Sequence, residues 1–447
     1  MLNSIVSFLI ALGILVFIHE YGHYSVARLC GVRVIRFSVG FGKPIIRWLN
    51  RKTGVEWTIS WIPLGGYVRM LDERDPESLQ GQGIRLDEAF NRKPVGHRIA
   101  IVLAGPLANL ALAALLYGFL AYMQPTGQAT RVSQPTPDSV AFLAGLSAGD
   151  DISSINGEQV RNWNEVSWAL IKARLFSNDL EIQVSRLGQS VTLQSVPASR
   201  LDAELGPSLS RDLGFVPYEK RVLVRGSAEG SAAERAGFKK GDQVLSVDDI
   251  EVDSAAQFTG LIKMRASRAV TILVNREGQE ISLKAQPEPF VQEDGQTVGR
   301  LGLSIAGEPM TVNYPMGPME SLLEGAGRMV EVSLFSLAAL GKMLTGDLSW
   351  NHLSGPVSIA SAAGESSSLG ILPFLGFLAM VSVSLGILNL LPIPLLDGGH
   401  LMYYFAEIIR GRPVDESWQV LGQKLGVLLI GMLTIVALFN DIQRLFH

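Results

Sequence analysis

The residues best suited to do chemistry lie near the start of the chain, in His19-Glu20-Tyr21-Gly22-His23. On a helix, His19 and His23 stand one turn apart on one face, the spacing at which two imidazoles can grip one zinc ion. Glu20 turns away from that pair yet stays close enough to reach a water held by the metal. Zinc with three protein ligands keeps an open position, lowers the pKa of its water towards ~7 and leaves a carboxylate to take the proton for attack on a peptide carbonyl. The H-E-x-x-H pattern thus predicts metalloprotease chemistry with Zn2+ as cofactor.

The surroundings of the motif are unusual. Residues 1–19 carry no charged side chain, and apolar helical character runs on to about Ala27. That length crosses a ~30 Å hydrocarbon layer, so the zinc site is expected within a membrane or at its edge. A cleaved signal peptide is the alternative, but the chain has neither a basic opening nor a small-residue cleavage site. Ionisable groups inside a span are costly and usually functional, and an unpaired Glu20 would be hard to keep in lipid.

Composition sets the frame around this motif. A chain of 447 residues with 47% hydrophobic content is a membrane protein with sizeable soluble parts. A formal charge of −4 argues against nucleic-acid binding. The single cysteine, Cys30, excludes an intrachain disulfide and a multi-cysteine zinc site.

Taken in order, the elements that must position the motif are as follows. Residues 1–27 form a first span, and the segment 28–98 holds thirteen Lys and Arg against seven Asp and Glu from Arg28 to Arg98, which makes it cytoplasmic. Within it, the run from Phe37 to Lys43, containing Gly40 and Gly42, and the run Glu56–Ile62 predict a hairpin-like sheet, with Gly65-Gly66 ending the second run. Such a sheet either offers an edge to an extended substrate or rests on the lipid surface. Residues 99–123 are a second span, whose Ala104, Gly105 and Ala108 let another helix approach and whose Asn109 can hydrogen-bond across that contact. It is expected to pack on the zinc-bearing helix.

Between 126 and 307 the chain repeats. The stretch Ala144–Ile155 matches Ala236–Val247 at an offset of 92 residues, and both carry AG-x-x-x-GD leading into a β-run. Each copy resembles the PDZ domains of bacterial proteases, which implies domains over 126–218 and 219–307 that accept a peptide as an added strand. The short, proline-bearing connection from Gln124 predicts that they stay over the outer mouth of the site and exclude substrates with large folded outer domains. Residues 318–345 predict an interfacial amphipathic helix, because only ten uncharged residues separate Glu331 from Lys342. A third span, 369–396, ends in Asn389-Leu-Leu-Pro-Ile-Pro394-Leu-Leu-Asp397-Gly-Gly, and a fourth covers 422–443.

Zinc needs a third protein ligand. His97, His352, His400 and His447 all lie outside the apolar runs, so Asp397 is the natural candidate. With four spans, the first and third run the same way and their carboxy-terminal ends meet on the cytoplasmic side. A fifth span at 332–341 would move Asp397 to the opposite face, ~30 Å away.

HEYGH, the AGPLAN stretch, the two PDZ-like repeats and NLLPIPLLDGG together resemble the site-2 protease family of intramembrane zinc proteases, in order and spacing along nearly the whole chain. The resemblance implies a polytopic α-helical membrane protein with four transmembrane helices, a membrane-associated β-hairpin region and two inserted periplasmic PDZ domains. It implies that His19, His23 and Asp397 bind zinc and that Glu20 is the general base. It also implies that Asn389 with Pro392 and Pro394 holds an unwound substrate, and that 37–70 is the family's re-entrant β-loop, with Gly40 and Gly42 among its substrate-binding positions. The implied substrates are single-span membrane proteins, such as anti-sigma factors already cut once or remnant signal peptides, met in the lipid of the bacterial inner membrane during regulated proteolysis of the envelope stress response. A membrane scaffold would leave the zinc constellation without a role, and a transporter is the remaining alternative because broken helices with polar groups also mark ion sites.

The four-span topology has a direct check. A cysteine in either repeat or after Phe446 should react with an impermeant thiol reagent from the periplasm, whereas Cys30 and a cysteine at Arg412 should not. Labelling at 412 from outside would show an extra crossing.

Overall fold

The computed structural model describes residues 2–76, 85–203, 205–206, 208–291 and 295–446, which leaves His447 outside the described residues. Two units result, one built from the two ends of the chain, up to Met123 and from Met316, and the other from Gln124–Pro315.

The first unit contains α1 (Leu2–Leu29), β1 (Val34–Leu49), β2 (Glu56–Met70), α2 (Val95–Met123), α3 (Pro318–Thr345), α4 (Pro356–Ser368), α5 (Ile371–Leu390), α6 (Asp397–Arg410) and α7 (Glu416–Phe446). Among the described residues, four stretches are long and apolar enough to cross a membrane: Asn3–Leu29, Val95–Met123, Ile371–Leu390 and Glu416–Arg444. Helix is the form these stretches must take in lipid, because it satisfies every backbone amide within the segment. α5 stops at Leu390, six residues short of the expected end at 396. Leu391 is extended, as a residue before proline should be, and Pro392 and Pro394 have no N–H to continue a helix. Leu395 then takes φ of 94°, a left-handed value that a branched side chain rarely adopts, and α6 starts at Asp397.

β1 and β2 pair antiparallel, and β2 continues through Gly65-Gly66 to Met70 where the sequence reading ended it. Gly65, at φ 140°, bends the strand without ending it. The bends double the pairing: Phe37 lies opposite both Val68 and Trp57, and Trp57 also lies opposite Trp48. Phe37 is fully buried and stacks its ring among Phe17 and Tyr24 of α1 and Trp57, which fastens the sheet to the first span.

Two helices were not foreseen. α6 follows the proline break, and α4 begins with Pro356 at its first position, where the missing N–H costs nothing. The orphan amides of α4 are capped from the far end of the chain: the Asp441 carboxylate accepts from the backbone N–H of Gly355, Val357 and Ser358 at 3.0, 2.8 and 3.3 Å. Asn440 donates to the Trp350 and Leu353 carbonyls beside it. α4 in turn meets α1, where Ser7 donates to Ser367 at 2.8 Å.

Besides two short two-stranded pairs, the second unit holds, among the described residues, a four-stranded and a six-stranded sheet, each over its own apolar core. Strands Asp151–Ile155 and Ile182–Arg186 of one answer to Gln243–Val247 and Val270–Arg276 of the other. The repeated aspartate has a clear use. Asp150 and Asp242 are buried, each gripped at both oxygens by an arginine, Arg186 at 2.8 and 2.7 Å and Arg276 at 2.6 and 2.8 Å. The same arginines donate to the Gly145 and Gly237 carbonyls, so one fork ties the glycine turn to the sheet in both copies. Burial pushes the Asp242 carboxyl up, but hydrogen bonds from Arg276 and the Lys239 amide outweigh it and leave it below the usual value.

Arg276→Ala leaves a buried charge unpaired, a loss of about 3–5 kcal/mol. In hydrogen exchange on the full chain, amides around 243–247 and 270–276 should exchange roughly a hundredfold faster or more, with those of 151–155 unchanged. Because the folded Asp242 titrates below its unfolded value, its contribution is present above about pH 4 and is lost as the pH falls. Equal acceleration in both repeats would show that the clamps are not independent.

Candidate metal centre

α1 delivers two of the candidate ligands by its own periodicity, with His19 Nε2 and His23 Nε2 3.3 Å apart and their rings nearly perpendicular. Asp397, at the start of α6, places Oδ2 3.2 Å from His19 Nε2 and 3.4 Å from His23 Nε2. A tetrahedral ion with bonds of about 2.0–2.1 Å keeps its donors about 3.3 Å apart, so all three edges of this triangle fit zinc. Asp397 Oδ2 is buried and has no hydrogen-bond donor, as a metal ligand should be. The donor set, two imidazoles and one carboxylate, suits zinc in a site that keeps a position open.

α2 sets the imidazoles. The Ile101 carbonyl can only accept, so His23 donates Nδ1–H to it at 2.8 Å and turns the lone pair of Nε2 to the centre. His19 Nδ1 lies 3.3 Å from the Asn109 side-chain nitrogen, while Asn109 Oδ1 is buried without a partner. Turning that amide over puts Oδ1 on the His19 Nδ1–H, which satisfies both groups and leaves His19 Nε2 free. Between these contacts lies Gly105, where a Cβ would sit 2.2 Å from His23 Nε2, and Gly22 of α1 faces the Ala104 carbonyl just as closely. The two backbones therefore touch where the imidazoles need space.

Glu20 is buried and lines a cavity of about 1490 Å³ together with His19, His23, Asp397 and Asn389. The β2 stretch Gly65–Met70 forms another wall, and a Cβ on Gly66 would lie 2.8 Å from Glu20 Cγ. The other residues singled out in the sequence sit elsewhere. Pro392 and Pro394 make the break before α6, with the Pro394 carbonyl against Gly426 of α7. Gly40 and Gly42 take φ of 91° and 87° in β1, and Phe41 between them reaches the cavity. Sequence reasoning missed the Ile101 carbonyl and the wall at 65–70, and it read Asn109 as a helix–helix contact without its tie to His19.

Comparison with known proteins now adds to this geometry. The model of peptidase family M50 matches residues 7–433. A Neisseria meningitidis protein, provisionally named a zinc metalloprotease, is 38% identical over 452 residues, 99% of this chain and 100% of the relative. The regulator of sigma-E protease RseP of Escherichia coli K12 is 35% identical over 455 residues, 99% of each chain.

Removing an outer hydrogen bond to a metal-bound histidine usually costs 10–100-fold in affinity. Asn109→Ala should weaken zinc binding by about that much in competition with a chelator, and Asn109→Asp, which keeps an acceptor, should recover most of it. Unchanged affinity in Asn109→Ala would remove Asn109 from the site.

Proposed function

Because the chain belongs to peptidase family M50, the site-2 proteases, and is a zinc metalloprotease, we propose that it is an intramembrane endopeptidase of the bacterial inner membrane. Its substrates on this reading are single-span membrane proteins of the anti-sigma-factor type, after a first cut by another protease, and remnant signal peptides. Its place is then regulated proteolysis in the envelope stress response. The observation that carries the reading is the triangle of His19, His23 and Asp397 at the Glu20-lined cavity, with both histidines inside an apolar span.

In this reading His19, His23 and Asp397 hold the zinc ion and Glu20 is the general base. When bound, zinc supplies Lewis-acid polarisation and a water acidic enough to lose its proton near neutral pH. Glu20 would take a proton from the attacking water and return it to the leaving amine, a role for which its place beside the ligands and on the cavity is suited. A transmembrane helix must lose its own hydrogen bonds before a carboxylate or a water can reach a peptide carbonyl. Asn389, with the break at Pro392 and Pro394, is proposed to receive the unwound segment. The β1–β2 region, bent at Gly40 and Gly42, is proposed to dip into the membrane, and its exposed Phe41, Ile46, Trp48 and Trp61 are the side chains such a surface needs. The duplicated unit at 124–315 is proposed to be a pair of periplasmic PDZ domains, on the strength of the shared AG-x-x-x-GD turns.

Glu20→Gln should keep zinc and lose turnover by roughly 10²–10⁴-fold, since the residue acts on the proton and not on the ion. His23→Ala should lose both zinc and turnover, and Asp397→Asn should weaken zinc binding. Zinc content and cleavage of a single-span substrate by the purified chain decide this. Equal loss of zinc in Glu20→Gln and His23→Ala would remove Glu20 from its role.

A further inference from the structure

The third ligand reaches the centre at the end of a helix that is only partly embedded. Gly398, Gly399 and Leu401 of α6 are buried, but Phe405, Ile408 and Ile409 are 55%, 57% and 85% exposed. What holds the helix further along is Glu407, which accepts from Arg98 Nη1 and Nη2 at 3.1 and 2.7 Å. Arg98 also donates Nε–H to the Lys93 carbonyl at 3.1 Å, and its guanidinium lies 4.9 Å over the Tyr404 ring. Both charged side chains are 13% exposed. Exposed ion pairs contribute little, but a two-pronged, mostly buried pair stacked on an aromatic ring is directional and stiff.

Position on α2 gives this pair its meaning. Arg98, Ile101, Gly105 and Asn109 follow one another at helical spacing along one face. Ile101 orients His23, Asn109 meets His19, and Gly105 leaves space for both rings. Arg98, on the same face, holds the helix that carries Asp397. Glu407 lies ten residues beyond Asp397, about 15 Å along the helix axis. A helix moves as a rod, so a tilt permitted at Glu407 shifts Asp397, where ligand distances tolerate only about 0.2 Å.

We infer that Arg98 and Glu407 are positioning residues for the metal centre, locking α6 so that Asp397 closes the triangle begun by His19 and His23. The inference rests on the zinc reading above. It makes α2 the single template for all three ligands: two rings set directly and one carboxylate set through a lever.

The test uses the purified full chain with Arg98→Met, Glu407→Gln and the exchanged pair R98E/E407R. Three readouts are taken: zinc affinity by chelator competition, the visible spectrum of the cobalt-substituted protein, and the melting midpoint of the metal-free protein. Each single variant should bind zinc at least tenfold more weakly, lose tetrahedral cobalt intensity and lower kcat with KM little changed, all by more than any fall in the metal-free midpoint accounts for. The exchanged pair should recover affinity and spectrum at least in part. Unchanged affinity and spectrum in both single variants would overturn the inference. So would a fall in the metal-free midpoint that accounts for the lost affinity, because the pair would then serve the fold alone. If the wild-type chain bound no zinc, or His23→Ala kept it, the zinc reading itself would fail. If those controls behave and only the Arg98 and Glu407 variants do not, the lever alone is wrong.

Discussion

Everything at the centre depends on how closely α1 and α2 approach. In lipid no hydrophobic effect drives two helices together, so contact rests on packing and on polar groups that find each other. Gly22 and Gly105 remove the side chains that would hold the backbones apart, and each missing methyl is matched by an atom already in its place: the Ala104 carbonyl for one and the His23 ring for the other. That proximity brings the Ile101 carbonyl and Asn109 within reach of the two rings, and thereby fixes which nitrogen of each faces inward.

The carboxylate arrives by the opposite strategy, from a chain that is interrupted. Prolines deny α5 its continuation, Leu395 accepts an unfavourable φ, and Gly398 and Gly399 tuck under the carbonyls of Leu390, Leu391 and Ile393. A Cβ at either glycine would collide with that backbone. The strain at Leu395 is offset by a tightly filled neighbourhood, with Gly426 of α7 against the Pro394 carbonyl.

Much of this was legible in the sequence, for physical reasons that can be named. His19 and His23 share a face by periodicity alone, and Asp397 follows from counting spans, since only one topology lets it meet them. The repeat announced Asp150 and Asp242, but their arginine partners did not stand out. Arg186 and Arg276 do not keep the offset of the repeat, so they do not stand out when the two copies are set side by side. Backbone groups carry no letter in a sequence, which hid the Ile101 carbonyl. Glycine was ambiguous: Gly65-Gly66 looked like a strand end and proved to be a bend. Arg98 and Glu407 lie 309 positions apart, beyond any local pattern.

The cap that Asp441 places on α4 bears on how such a molecule comes to be made. Its partners lie 83 to 86 residues earlier, and α4 itself braces α1, the helix that carries the histidines. Ribosomes deliver chains from the amino end, so the brace on the helix that carries the histidines cannot be capped before the residues around Asp441 have been made. Until Asp441 has been made, the amides at the head of α4 have no carboxylate to receive them. A chain cut short before Asp441 would therefore keep every candidate ligand and lose the cap on the helix that braces two of them.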